Sequence, residues 1–261
     1  MMSILEKIVK YKHQEVEQKK YAFPVSLLES SVLFTAPTRS LRNALEKVPV
    51  GIIAEHKRRS PSKKIINDSL LVQDIAEGYQ SAGAAGMSVL TDTNFFGGSL
   101  DDLLLARSVT SFPILRKEFI VDPYQIIESK AYGADAILLI AAVLSDSALK
   151  EFSELAQSLK LEVLLEVHCK EELNRALLPS VDMLGINNRN LKTFEVSTNT
   201  SKTLSEYIPE EFIKISESGI NSVATIKELR DYGFRGFLIG EQFMKAQDPG
   251  NTAKEFINQL F

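Results

Sequence analysis

The sequence predicts an α/β protein: a single (β/α)8 TIM barrel with an N-terminal helical extension. Three observations lead there. Short apolar, β-branched runs recur eight times along the chain. Helical segments separate the runs, and three of them end in similar glycine-containing stretches: Ser-Ala-Gly-Ala-Ala-Gly at 81–86, Tyr-Gly-Ala-Asp-Ala at 132–136 and Tyr-Gly-Phe-Arg-Gly at 232–236. No Pro/Gly/Ser-rich linker or shift in composition interrupts the series. Glycine just past a helix supplies a left-handed cap, from which a short strand can start at once. Runs that are apolar almost throughout are expected of strands buried on both faces, as in parallel sheets. Eight such units in about 250 residues suit a closed barrel better than an open doubly wound sheet.

The elements follow in order. In the first 20 residues Ile4, Leu5, Ile8, Val9 and Val16 recur at roughly helical spacing among Lys and Glu, which predicts an amphipathic helix lying on a larger body. A second short helix is expected over 40–46. The strands are predicted at 50–55, 86–90, 112–115, 136–140, 162–167, 183–187, 212–216 and 236–239. Helices are predicted between them at 71–82, 100–108, 123–132, 145–159, 170–178, 200–205 and 223–232, with a last one at 251–261. Residues 1–48 are read as the extension and 49–261 as the barrel, together one domain.

Composition removes several function classes. A chain of 261 residues that is 44% hydrophobic can bury a large core without disulfides. With 30 Lys+Arg against 34 Asp+Glu, the net charge of −4 gives no electrostatic case for nucleic acid or an acidic membrane surface. The longest apolar run, 136–144, is about half of what a membrane-spanning helix needs. The charged N-terminus lacks the apolar core of a signal peptide, so a cytoplasmic protein is expected. Cys169 is the only cysteine, and His13, His56 and His168 show no ligand-like spacing, so neither a zinc site nor another metal is expected. Dinucleotide and P-loop signatures are absent, and no cofactor is expected.

Barrel active sites lie at the C-terminal ends of the strands. The predicted strands run there into Glu55-His-Lys57-Arg-Arg-Ser60, Arg116-Lys117-Glu118-Phe119, Glu166-Val-His168, Asn187-Asn188-Arg189, Glu217-Ser218-Gly219 and Gly240-Glu241. Alternation puts Glu55 with Lys57, and Asn187 with Arg189, on shared faces. Taken singly, charges after strands are what solvated loops carry. Glu166 differs, because it interrupts the apolar run 163–167, and burying a carboxylate costs several kcal/mol unless it is paired. Ser218-Gly219 and Gly240 fall in the loops where such barrels commonly hold a phosphate. Glycine lets a backbone approach an anion closely. The residues thus describe acid–base chemistry on a phosphorylated, carboxylated metabolite.

Several segments together carry a resemblance. They are Ile-Ala-Glu-His-Lys-Arg-Arg-Ser-Pro-Ser, Leu-Thr-Asp-Thr-Asn-Phe-Phe-Gly-Gly-Ser, Pro-Ile-Leu-Arg-Lys-Glu-Phe-Ile-Val-Asp-Pro-Tyr-Gln-Ile, Leu-Leu-Glu-Val-His, Gly-Ile-Asn-Asn-Arg-Asn-Leu-Lys-Thr-Phe and Ser-Glu-Ser-Gly-Ile. In these, and in their order, the chain resembles indole-3-glycerol phosphate synthase from the N-terminal helix to the last strand. The absence of Trp is compatible with an enzyme made when tryptophan is scarce. The resemblance implies a (β/α)8 lyase that converts 1-(2-carboxyphenylamino)-1-deoxyribulose 5-phosphate to indole-3-glycerol phosphate, with loss of CO₂ and water. By the same resemblance Lys117 matches the general acid for ring closure. Lys57 matches the lysine that contacts the substrate carboxylate and assists dehydration, and Glu166 matches the general base. Glu55 matches the acid that orients the lysines. Asn187 and Arg189 match polar substrate contacts, and Phe96 and Phe119 match the wall for the aromatic ring. Ser60, Ser218, Gly219, Gly240 and Glu241 match phosphate-contact positions, and Leu238 joins the substrate-binding set.

Three departures stand out: Lys64 where the family usually has Gly, Glu118 where Asp is commoner, and Glu241 where some members have Ser. Lys64 is expected to stiffen the first loop, and Glu118, alternating away from Lys117, to matter little. The Glu241 carboxylate is expected to turn from the phosphate toward Lys245, one helical turn along. Partners are expected to be limited to the phosphorylated small-molecule substrate, with no nucleic acid and no membrane. The chain is expected to be a monomer, with a weak homodimer as the alternative. Two rival readings are a Schiff-base aldolase using Lys117 and a non-catalytic phosphate-binding barrel. Phosphoribosylanthranilate isomerase, a neighbouring barrel, uses a catalytic Cys after its first strand, where Glu55 and Lys57 stand here.

Overall fold

The computed structural model describes residues 2–61, 63–191 and 193–261. Three helices precede the sheet: α1 (Ile4–Ala22), α2 (Val25–Glu29) and α3 (Leu41–Glu46). Eight strands follow: β1 (Gly51–His56), β2 (Gly86–Leu90), β3 (Ile114–Lys117), β4 (Ala136–Ile140), β5 (Glu162–Val167), β6 (Met183–Asn187), β7 (Ile213–Glu217) and β8 (Phe234–Ile239). They pair in sequence order, all parallel, and β8 closes on β1. The helices of the repeat are α4 (Val72–Ser81), then α5 (Thr93–Phe96) with α6 (Leu100–Val109), α7 (Pro123–Ala131), α8 (Asp146–Ser158), α9 (Lys170–Ala176), α10 (Asn199–Ser205) and α11 (Val223–Arg230). After β8 come α12 (Glu241–Met244) and α13 (Pro249–Asn258). The predicted barrel is therefore the observed one.

Inward side chains such as Ile53, Leu115, Leu138, Leu164, Met183 and Ile215 fill the barrel, while a larger apolar layer lies between strands and helices. Helix α3 seals the N-terminal end. Its Leu41 and Leu45 are fully buried against the first residues of β1, β2 and β8, where a Cβ on Gly51 would come within 2.4 Å of Leu45. Each such leucine contributes about 1.5–3 kcal/mol by burial. With that end filled by α3, the barrel opens at the C-terminal ends of its strands.

Helix α1 starts at a capping box between Ser3 and Glu6 and buries Ile8, Lys12 and Val16, spaced by four. Lys12 is a cation on an apolar stripe. It is satisfied by Glu15 at 2.9 Å, Asp92 at 3.0 Å and Glu118 at 3.2 Å. The extension is thereby pinned to the loops after β2 and β3.

The differences from expectation are local. Strand β3 lies two residues later than predicted, because Pro113 has no N–H and serves the sheet only as an acceptor, from Met87 N–H at 3.0 Å. Arg116 and Lys117, expected after the strand, close it instead. Arg116 is fully buried and is bound by Glu128 at 2.7 Å, Thr91, Ser129 and the Gln125 carbonyl. Strand β8 starts two residues early, at Phe234, and β7 runs on to Glu217. The last helix begins at Pro249, after the Asp248 cap, and ends at Asn258. Helices α2 and α5 have no counterpart in the sequence pattern, being too short to show a period.

Candidate active site

The open mouth leads into a cavity of about 1160 Å³. Glu55, Lys57, Ser60, Phe96, Lys117, Phe119, Glu166, Asn187, Arg189, Ser218, Gly219, Leu238, Gly240 and Glu241 all line it. The parallel register explains the gathering, since equivalent strand ends share one rim. Ile4, Leu5 and Ile8 of α1 line it too.

Two ammonium groups hold opposite parts of the floor. Lys57 Nζ is 2.5 Å from Glu55 Oε1. Lys117 Nζ is 3.0 Å from Glu166 Oε2 and also donates to Glu217 Oε2 in a closer ion pair. Burial works against the charge on Lys117, but Glu217, Glu166 and Glu55 outweigh it, so the ammonium is held well above its ordinary range. Burial likewise pushes Glu166 up, yet Lys117 and His168 bring its carboxyl down to about 2. Glu217 goes the other way: burial, joined by the nearby Glu166, lifts it to about 7 against the pull of Lys117. Its Oε1 has no hydrogen-bond partner among the described residues. The floor therefore combines a firmly protonated ammonium, an ionised carboxylate and a carboxyl group that titrates near neutrality.

Glu217 is the residue that strand-end reasoning did not single out. It ends the alternating run Ile-Lys-Ile-Ser-Glu, which is not apolar throughout, so the test that marks Glu166 within 163–167 does not find it; its only signal is its place at a strand end. The fold makes room for it at Gly185, where a Cβ would stand 2.3 Å from Glu217 Oε1. Next to it, Ser218 adopts a left-handed φ of 64°, unusual for a non-glycine residue, and Gly219 follows at 76°. Asn188 holds this turn by donating to the Ser218 carbonyl at 3.1 Å and to Ser216 Oγ at 3.0 Å.

One wall is aromatic. Asp92 caps α5, accepting from the N–H groups of Phe95 and Phe96, and this sets the Phe96 ring 5.7 Å from that of Phe119. On the far rim, Asn187 Oδ1 accepts the Arg189 N–H at 3.0 Å.

A Cβ on Gly240 would stand 2.7 Å from Glu55 Oε1, so this glycine makes room for the Glu55–Lys57 pair. One expectation needs correction, that Glu118 matters little. Glu118 does alternate away from Lys117, but into a buried network: Lys12 at 3.2 Å, Thr91 at 2.8 Å and Arg116 at 3.7 Å. The Glu241 carboxylate does turn to Lys245, at 2.6 Å, and it also pairs with Lys63 of the first loop. Ser62, in that loop, lies outside the described residues. Among the described residues no cluster of His, Cys, Asp and Glu could hold a metal, and no helix is long and apolar enough to cross a membrane.

Among solved structures, thiamine phosphate pyrophosphorylase from Pyrococcus furiosus superposes with a TM-score of 0.61 at 16% identity, over 85% of this chain and 98% of that one. That likeness concerns the fold alone. Indole-3-glycerol phosphate synthase of Bacteroides thetaiotaomicron is 45% identical over the full length of both chains. The enzyme of that name from Albidiferax ferrireducens is 44% identical over 98% of each. The model of the family described as indole-3-glycerol phosphate synthase matches residues 5–256, which span α1 through most of α13 and so include every strand end that lines the cavity. The chain belongs to the indole-3-glycerol phosphate synthase family.

Proposed function

We propose that this carboxy-lyase closes the pyrrole ring of indole on 1-(2-carboxyphenylamino)-1-deoxyribulose 5-phosphate, and that the residues named above divide the steps. A carbon–carbon bond forms between the carboxylated ring carbon and the ketose carbonyl, whose oxygen takes a proton from Lys117. CO₂ then leaves and restores the ring electrons. The hydroxyl departs as water with a proton from Lys57, and Glu166 as base removes the last proton. Proton transfer by a positioned group is worth roughly 10²–10⁴ in rate. Before its loss, positive charge on the anilino nitrogen is stabilised by the Glu166 carboxylate in a water-poor cavity.

The observation that carries this reading is Lys117 clasped by Glu166 and Glu217. An ammonium so held keeps its proton at neutral pH, as an acid must. A Schiff-base nucleophile needs the free amine, so the geometry disfavours the aldolase reading. Phe96, Phe119 and Leu238 form the apolar surface for the anthranilate ring. Asn187 and Arg189 contact the polar groups of the substrate, and Glu55 orients Lys57. Ser60, Ser218, Gly219, Gly240 and Glu241 surround the phosphate, Gly240 and Glu241 through their backbone. The enzyme works in the cytoplasm on this phosphorylated small molecule, as a monomer with a weak homodimer as the alternative. An indole-fluorescence assay with the anthranilate-derived substrate tests the reading. Turnover without a borohydride-trappable adduct is expected, and a reducible imine on Lys117 would point to the aldolase instead.

A further inference from the structure

One half-buried titratable side chain beside the reacting carboxylate has no part in these steps. His168 follows Glu166 by two residues, and its ring is absent from the cavity lining. Its Nδ1 is 3.1 Å from Glu172 Oε2 on α9, an oxygen that also accepts the His168 backbone N–H at 2.7 Å. Its Nε2 is buried, has no hydrogen-bond partner among the described residues, and stands 3.4 Å from Glu166 Oε1. Lys117 holds the other oxygen, Oε2.

Counting protons decides the state of this ring. An ionised carboxylate only accepts hydrogen bonds, and a neutral imidazole offers a single N–H. If Nδ1 gives that proton to Glu172, the Nε2 lone pair faces Glu166 Oε1, and two acceptors oppose each other where Nε2 is shut off from solvent. If Nε2 carries it, the clash moves to Glu172. The doubly protonated ring alone presents an N–H to both carboxylates, as a hydrogen bond to Glu172 and as an ion pair to Glu166. The charges that reach it are Glu166 on β5, Glu172 on α9 and Glu217 on β7, all carboxylates, while Lys117 lies beyond Glu166. Burial opposes the imidazolium, but Glu172 and Glu166 prevail and raise the ring above its ordinary value.

We propose that His168 is an imidazolium bridging Glu172 to Glu166, a positioning residue that holds Glu166 Oε1 while Lys117 holds Oε2. Fixed at both oxygens, the carboxylate stays ionised and aimed at the cavity. Loss of the His168 proton turns a lone pair on Oε1 and weakens that hold, leaving Lys117 and Asn187 on the carboxylate. This rests on Glu166 being the reacting carboxylate.

The test uses the full chain in two measurements. With ring-¹⁵N histidine, the His168 signals are identified by their loss in His168→Asn. Near neutral pH both nitrogens are expected to be protonated, with the titration midpoint falling in Glu172→Gln. A ring protonated at one nitrogen only, or a midpoint unmoved in Glu172→Gln, overturns the proposal. In steady-state kinetics His168→Asn is expected to lower kcat about tenfold with little change in KM, as for loss of a charge contact that orients the base. His168→Gln, which restores an N–H near the Nε2 position without charge, is expected to recover part of kcat and to lose the alkaline limb of the wild-type pH profile. An alkaline limb unchanged in His168→Gln sinks the proposal. The nitrogen shifts need no turnover, so a Glu166→Gln enzyme with wild-type kcat would remove the role of Glu166 and leave the His168 result readable.

Discussion

Lys117 illustrates how much chemistry rests on the partners of one side chain. Its ammonium sits between two carboxylates on the cavity floor, and truncation removes the proposed acid while sparing the residues proposed to surround the phosphate. Lys117→Ala is expected to lose at least about 10²-fold in kcat and still to bind the phosphorylated product, which equilibrium titration of product fluorescence checks. Glu166→Gln keeps shape and removes charge. A large fall in kcat with a modest change in KM is expected, as for an interaction made mainly in the transition state, and a loss in KM alone would make it a binding residue. Glu217 adds a pH dependence. Its carboxyl is raised from 4.5 to about 7, so the folded state binds more protons than the unfolded one between those values. Stability attributable to this group is greatest at the acid side and declines as pH rises through about 7. Glu217→Gln is expected to flatten that decline, measured as melting temperature against pH.

At the scale of elements, α12 and the first βα loop behave as one unit. Glu241 Oε1 takes both Lys245 and Lys63, and Asn67 donates to the Met244 carbonyl at 3.1 Å. These ion pairs are partly exposed, and such pairs contribute only about 0–1 kcal/mol. Glu241→Ser is therefore expected to leave KM within about threefold, a change below 1 kcal/mol. Gly240→Val acts through a different element. Its side chain would strike Glu55 on β1 and displace the partner of Lys57, so kcat is expected to fall as well as KM to rise. A rise in KM alone would show that the valine meets only the phosphate. Both variants are resolved by the same initial-rate measurements.

The extension and the barrel are joined by a buried charge cluster. Lys12 from α1 meets Asp92 after β2 and Glu118 after β3, all nearly inaccessible to solvent. Removing one partner of such a cluster costs about 3–5 kcal/mol, because the remaining charges stay buried and unpaired. Lys12→Met is expected to lower the melting temperature by roughly 10 °C in a chain of this size. The loss should be largest near neutral pH, where the Glu118 carboxyl, held low by Lys12 and Arg116 against its burial, is ionised, and a melting temperature unchanged by the mutation would show α1 to be held by its apolar stripe alone.

Much of this molecule is legible in its sequence because the signals are local. An apolar run buried on both faces, a glycine cap and a helix are each encoded within about a dozen residues, and their eightfold repetition leaves the barrel as the economical closure. Parallel strands all end at the same mouth, so the residues after each run meet without any knowledge of contacts. What only the tertiary structure decided is which of them touch. Lys117 on β3 finds Glu217 on β7, four strands round the closed barrel and 100 residues away. No spacing along the chain encodes a distance across a ring. The same holds for Gly240, whose missing side chain serves Glu55 on the neighbouring strand, and for Lys12, a polar residue on an apolar helix face that makes sense only once Asp92 and Glu118 lie against it. Periodicity determines which face a residue takes. Pairing energies, and the desolvation that makes them large, depend on the curvature that brings distant faces together.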